Sequence, residues 1–210
     1  MAWESLIPTV MLLSISGALA PGPLFFATIT YGIKGGAKSG FMVALGHTAF
    51  EFPLVIAVAL GTLSVINVAQ AKPFIGLIGS AAIIIFGALQ LKSVLNNEKS
   101  LGKGAGFKIP TNAFLVGLLF TGLNPFFIIW WLTIGMKLIM DSLLLASLVG
   151  VCIMYVSHVW IDYAWLAFVS HIAHKASNLI KERWMKVLMV SLSLALIIFG
   201  ALMVVNVLLG

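Results

Sequence analysis

Apolar runs of about twenty residues follow one another with little interruption from Leu6 to Leu209. Wound as a helix, a run of that length crosses the hydrocarbon core of a bilayer, roughly 30 Å. In hydrocarbon every backbone N–H and C=O must be satisfied within its own segment, so the spanning elements are helices. Six fit, over about 5–33, 39–66, 74–95, 113–136, 142–172 and 184–209. With only 9% charged residues, against about a quarter in soluble domains, the chain reads as an all-α integral membrane protein. Little of the 210 residues is left for a soluble catalytic domain. No enzyme activity, cofactor or resident metal is expected.

Two of these runs carry a break. Ala20-Pro21-Gly22-Pro23-Leu24 interrupts the first, because proline lacks the N–H a helix needs and its ring clashes one turn back. Gly122-Leu123-Asn124-Pro125 interrupts the fourth, where Asn124 can cap the half-helix that follows. Unpaired backbone groups in hydrocarbon cost several kcal/mol each, so a break at mid-depth must face protein, water or a ligand. A lone proline suggests a packing kink; paired breaks suggest a binding site. Pro21, Gly22, Pro23, Leu24, Asn124 and Pro125 are therefore candidate substrate-binding residues.

The basic residues set the expected orientation. Lys34, Lys38, Lys92, Lys99, Lys103, Lys108, Lys175, Lys181, Arg183 and Lys186 fall on one side, and only Lys72 and Lys137 on the other. Placing the richer side in the cytoplasm puts both termini outside. The net charge of +6 thus reflects topology and calls for no nucleic-acid partner. The first residues carry Glu4 and no basic residue, so they do not read as a cleavable signal peptide. The single cysteine, Cys152, allows no internal disulfide.

The two halves resemble each other. Thr30-Tyr31-Gly32-Ile33-Lys34 is echoed by Thr133-Ile134-Gly135-Met136-Lys137, and Ile84-Ile85-Phe86-Gly87-Ala88-Leu89 by Ile197-Ile198-Phe199-Gly200-Ala201-Leu202. Each half holds three helices, an odd number, so the second must be inverted. The expected architecture is a single transmembrane domain: repeat one over about 1–95, a cytoplasmic linker 96–112, and repeat two over about 113–210. Transporters built this way bind substrate near the midplane.

Two acidic residues, Glu51 and Asp162, lie inside apolar runs, each four positions after a histidine, His47 and His158. That spacing puts acid and histidine on one helix face. An intramembrane carboxylate costs about 2.5–3.5 kcal/mol on translocon scales and commonly marks an ion or proton path. The bland alternative is a histidine that simply satisfies its neighbouring acid. Glu51 and Asp162 are candidates for substrate binding, and His47, Glu51, His158 and Asp162 for ion or proton coupling. His171 and His174, beside Lys175, read as a headgroup-facing cluster. Trp130 or Trp131 is expected to line the cavity, Phe52-Pro53 to bend the second helix, and Tyr163, Trp160 and Trp165 to wall a cation pocket.

These residues resemble the lysine exporter (LysE/RhtB) family of amino-acid export permeases, over nearly the whole chain. The resemblance rests on the six runs, Ala20-Pro21-Gly22-Pro23 and Asn124-Pro125. It implies efflux of an amino acid or related metabolite across the cell membrane, coupled to proton or ion movement. Family members often carry Asn after Pro-Gly-Pro and Lys after Asn-Pro; here those places hold Leu24 and Phe126.

Half-helix N-termini suit a substrate carboxylate. Asp162 is assigned the substrate ammonium and Glu51 the coupling proton, aided by histidines that titrate near neutral pH. The rival is a divalent metal cation exporter, with His47, Glu51, His158 and Asp162 converging as two nitrogens and two carboxylates. A non-transporting scaffold would leave the breaks and buried acids unexplained. The substrate and the choice between monomer and homo-oligomer stay open.

Overall fold

A computed structural model describes residues 3–19, 22–61, 68–95, 112–179 and 182–209. These are helical nearly throughout: α1 (Trp3–Ala18), α2 (Pro23–Ala59), α3 (Val68–Leu95), α4 (Ala113–Gly122), α5 (Pro125–Trp130), a π-helical turn (Trp131–Gly135), α6 (Met136–Leu179) and α7 (Glu182–Leu209). Among the described residues, Pro23–Ala59, Phe126–Leu179 and Lys186–Leu209 are long and apolar enough to cross a membrane. Trp3–Ile15, Ser80–Lys92 and Ala113–Gly122 are shorter apolar stretches.

Two of the long helices turn back within themselves. In α2 the reversal is at Gly36, with φ 58° and ψ −153°, a conformation essentially reserved for glycine. In α6 it is at Ala146 and Ser147, and Ser147 takes φ 52° and ψ −141° with a side chain attached. Counting these turns, six rods result, as the apolar runs require. Several boundaries differ from expectation. The fourth rod runs past Lys137 and Asp141, which pair within the helix at 2.6 Å, so the turn comes at 146–147 rather than near 137–141. The second rod stops at Ala59, short of 66, and the third starts at Val68, taking Gln70, Lys72 and Pro73 into the helix. α2 continues through Pro53 without a break. The linker 96–111 lies outside the described residues.

Packing follows the small residues. α2 packs chiefly against α6 and α4, α3 against α7, and α1 against α6. A Cβ on Gly46 would collide with the carbonyl of Phe114, and one on Gly117 with that of Val43. α2 and α4 therefore touch backbone to backbone, as membrane helices without a hydrophobic driving force do. Likewise a Cβ on Gly87 would come to 2.9 Å from the Ser193 carbonyl, and one on Gly200 to 3.1 Å from that of Ser80. An apolar core of Leu6, Val10, Val55, Leu138 and Met154 closes one end of the bundle around Trp131.

Candidate functional site

A cavity of about 620 Å³ opens between the two breaks, bordered by Gly17, Gly22 and Leu24 on one side and Asn124, Phe126 and Phe127 on the other. The two half-helix starts are unlike. At α5 the Asn124 side chain accepts from the Phe126 amide at 3.0 Å, so that start is capped by its own chain. At α2 the N-cap is Gly22, extended and without a side-chain cap. The first backbone bond there is Phe26 N–H to Gly22 O at 3.2 Å. The amides of Leu24 and Phe25 precede it and carry the positive end of the helix dipole. Pro23 and Pro125 are the first residues of α2 and α5. Pro21 lies outside the described residues.

The floor of the cavity is polar. His47, Glu51, His158 and Asp162 all line it, and each is at most 7% exposed. Glu51 gathers the others. Its Oε1 is 3.0 Å from His47 Nε2 and 3.2 Å from His158 Nε2, and it accepts from Trp131 Nε1–H at 3.1 Å. Its Oε2 accepts from the Tyr155 hydroxyl at 3.0 Å. Asp162 is treated differently. Its Oδ2 is 3.2 Å from His158 Nε2 and 3.9 Å from His47 Nε2. Neither contact has hydrogen-bond geometry, so this buried oxygen lacks a hydrogen-bond partner among the described residues. Three residues apart on α6, Trp165 Nε1 is also buried without one.

The outer nitrogens of the histidines fix their tautomers. Thr121 donates its hydroxyl proton to the Gly117 carbonyl at 2.7 Å and lies 2.8 Å from His47 Nδ1. A carbonyl can only accept, so the hydroxyl has spent its proton and Nδ1–H must be the donor. Ser14 repeats this, donating to the Val10 carbonyl at 2.6 Å while lying 2.7 Å from His158 Nδ1. Each Nε2 therefore faces a carboxylate, and a proton must lie between them for the contact to be attractive. The close approach of α2 and α4 at Gly46 and Gly117 sets His47 against Thr121.

Aromatic rings hold the imidazoles in place. His158 lies beneath Trp130 with centroids 5.9 Å apart and rings nearly parallel at 26°, while Trp131 meets it edge-on at 5.1 Å. His47 meets Phe127 edge-on at 5.3 Å. Trp131 opens the π-helical turn, and a side chain on Gly135 would collide with its indole. Both Trp130 and Trp131 line the cavity, as does Trp165, on which Phe25 stacks at 6.3 Å. Two expected walls do not: Trp160 is 49% exposed, and Tyr163 packs on Phe41 at 5.0 Å instead. The hydroxyl that does reach an acid is that of Tyr155, on Glu51; its spacing to His158 and Asp162 along α6 puts all three on one face. Ser14 and Thr121 carried no such signal, since each belongs to the opposite half of the chain from its histidine. His47, Glu51 and Asp162 each offer a ligand atom, all within 4.8 Å of one another.

Helices that cross a membrane, enclosing a cavity with buried charges on its floor, define a multi-pass membrane protein of the transporter class. The chain belongs to the LysE type translocator family, whose model matches residues 15–207. Searches among curated proteins and solved structures returned no match.

Proposed function

We propose that the protein exports an amino acid or a closely related small metabolite, coupled to proton or ion movement. The observation that carries this reading is the buried Asp162 Oδ2, without a hydrogen-bond partner among the described residues, in the cavity that Gly22 and Leu24 also line. An α-amino acid brings a cation and an anion a few ångströms apart. Asp162 takes the ammonium, with the Trp165 indole alongside, and the uncapped amides of Leu24 and Phe25 take the carboxylate. Gly22, Pro23, Asn124 and Pro125 hold the breaks open around it, and Pro21 is proposed as part of the same site. Glu51, anchored by Trp131 and Tyr155, carries the coupling proton together with His47 and His158.

The transport frame is an inverted repeat of residues 1–95 and 113–210 joined by a cytoplasmic linker, with both termini outside. Three relations support it. Gly36 and Ser147, the residues of positive φ at the reversals, are 111 positions apart, as are His47 and His158, and Glu51 and Asp162. The α3 and α7 contacts are exchanged in the same manner, Gly87 against Ser193 and Gly200 against Ser80. The lysine distribution supplies the orientation. Alternating access is then rocking of one half against the other about the breaks.

The test is a thermal-shift screen of purified protein with a panel of amino acids, followed by proteoliposome flux. A ligand that binds only the native state raises its apparent stability. Asp162→Asn should lose that shift while the apo protein still unfolds cooperatively; a full shift in Asp162→Asn rejects the assignment.

A further inference from the structure

We propose that His47, Glu51 and Asp162, with His158 beside them, also form a binding site for a first-row divalent cation. This goes beyond the export reading and does not rest on it. The donors point the right way. Both Nε2 atoms face the carboxylates because both Nδ1–H groups are held by Ser14 and Thr121, hydroxyls that are themselves tied to backbone carbonyls. Histidine ligands of metals are fixed in this manner, with one nitrogen on the ion and the other N–H on an outer partner.

The spacing fits as well. His47, Glu51 and Asp162 each offer a donor atom, all within 4.8 Å of one another, and His158 Nε2 lies 3.2 Å from Glu51 Oε1 and from Asp162 Oδ2. Donors held about 2.0–2.2 Å from one ion are separated by about 3–4 Å. Glu51 Oε1 and Oε2 keep Trp131 and Tyr155 as outer partners, while Asp162 Oδ2 is free to ligate. An imidazole nitrogen with two carboxylate oxygens suits manganese, iron, cobalt, nickel or zinc better than soft Cu(I).

The experiment titrates purified full-length protein with CoCl₂ alone, then ZnCl₂ alone, reading the visible absorption of protein-bound Co²⁺ and the protons released into weak buffer. Expected are one ion per chain, release of protons, and displacement of Co²⁺ by Zn²⁺. Asp162→Asn and His47→Gln should abolish binding. Ser14→Ala and Thr121→Val keep every ligand and every charge, and should weaken it by about 10–100-fold. His171→Ala, at the far end of α6, should bind as the unaltered chain does. Absence of Co²⁺ absorption and proton release in folded, unaltered protein overturns the proposal. So does binding that survives Asp162→Asn but is lost in His171→Ala. The amino-acid screen on the same preparation separates the two readings: a shift by an amino acid without Co²⁺ binding removes only the cation site, and the converse removes only the export assignment.

Discussion

Replacing Tyr155 with Phe removes one hydroxyl and nothing else from the bundle. That hydroxyl is the only donor to Glu51 Oε2 among the described residues, at 3.0 Å. Glu51 is 1% exposed, so water does not take the vacated place without opening the packing. A hydrogen bond to a charged group contributes about 1.5–3 kcal/mol in soluble proteins. Between membrane helices the measured average is nearer 0.6, with a maximum of about 1.7, because the unfolded chain also finds partners. A charged acceptor buried this deeply belongs at the top of the membrane range, so Tyr155→Phe should cost about 1.5 kcal/mol. For a chain of this size that lowers the midpoint by about 3–6 °C. Tyr163→Phe is the matched control, because Tyr163 uses its ring against Phe41; it should shift the midpoint by less than about 1 °C. Unfolding in detergent, by heat and by SDS titration, reads both variants. Equal midpoints for the two would refute the claim that Tyr155 anchors Glu51.

The two reversals should respond oppositely to substitution: Gly36→Ala should destabilise by about 1–3 kcal/mol and Ser147→Gly should stabilise by about 1 kcal/mol, since only the second relieves a strained non-glycine residue; SDS titration of each measures it. Gly117→Ala drives a methyl into the Val43 carbonyl, and should lower the midpoint more than Gly22→Ala, around which a Cβ finds open space. Single cysteines introduced in a Cys152→Ser background should label from the cytoplasm at Lys103 and from outside at Gly210; outside labelling at Lys103 would invert the proposed orientation.

The sequence carried the six rods, the two breaks and all four buried ionisable residues, because hydrocarbon length, proline chemistry and intramembrane charge are local properties. Turn positions were less legible. Lys137 and Asp141 fall between the fourth and fifth apolar runs, but an ion pair one helical turn apart is a good helical element in itself. The true reversal at Ala146 and Ser147 has neither glycine nor proline to announce it. The expectation for Tyr163 rests on its adjacency to Asp162, but neighbours in sequence on a helix point about 100° apart. Ser14 and Thr121 were invisible because their roles come from the approach of distant helices, which no spacing along one helix encodes.

The hydroxyls that hold the histidines are traded between halves: His47, from the second rod, leans on Thr121 of α4, and His158, from the fifth, leans on Ser14 of α1. The chain is thereby cross-stitched at its most polar point. Relative travel of the halves by even a fraction of a helical turn would pull both stitches together, releasing each imidazole to rotate or to swap the nitrogen that carries its proton. In the proposed transport cycle, displacement of the halves and proton movement would then be one event, and protons would not pass without that displacement.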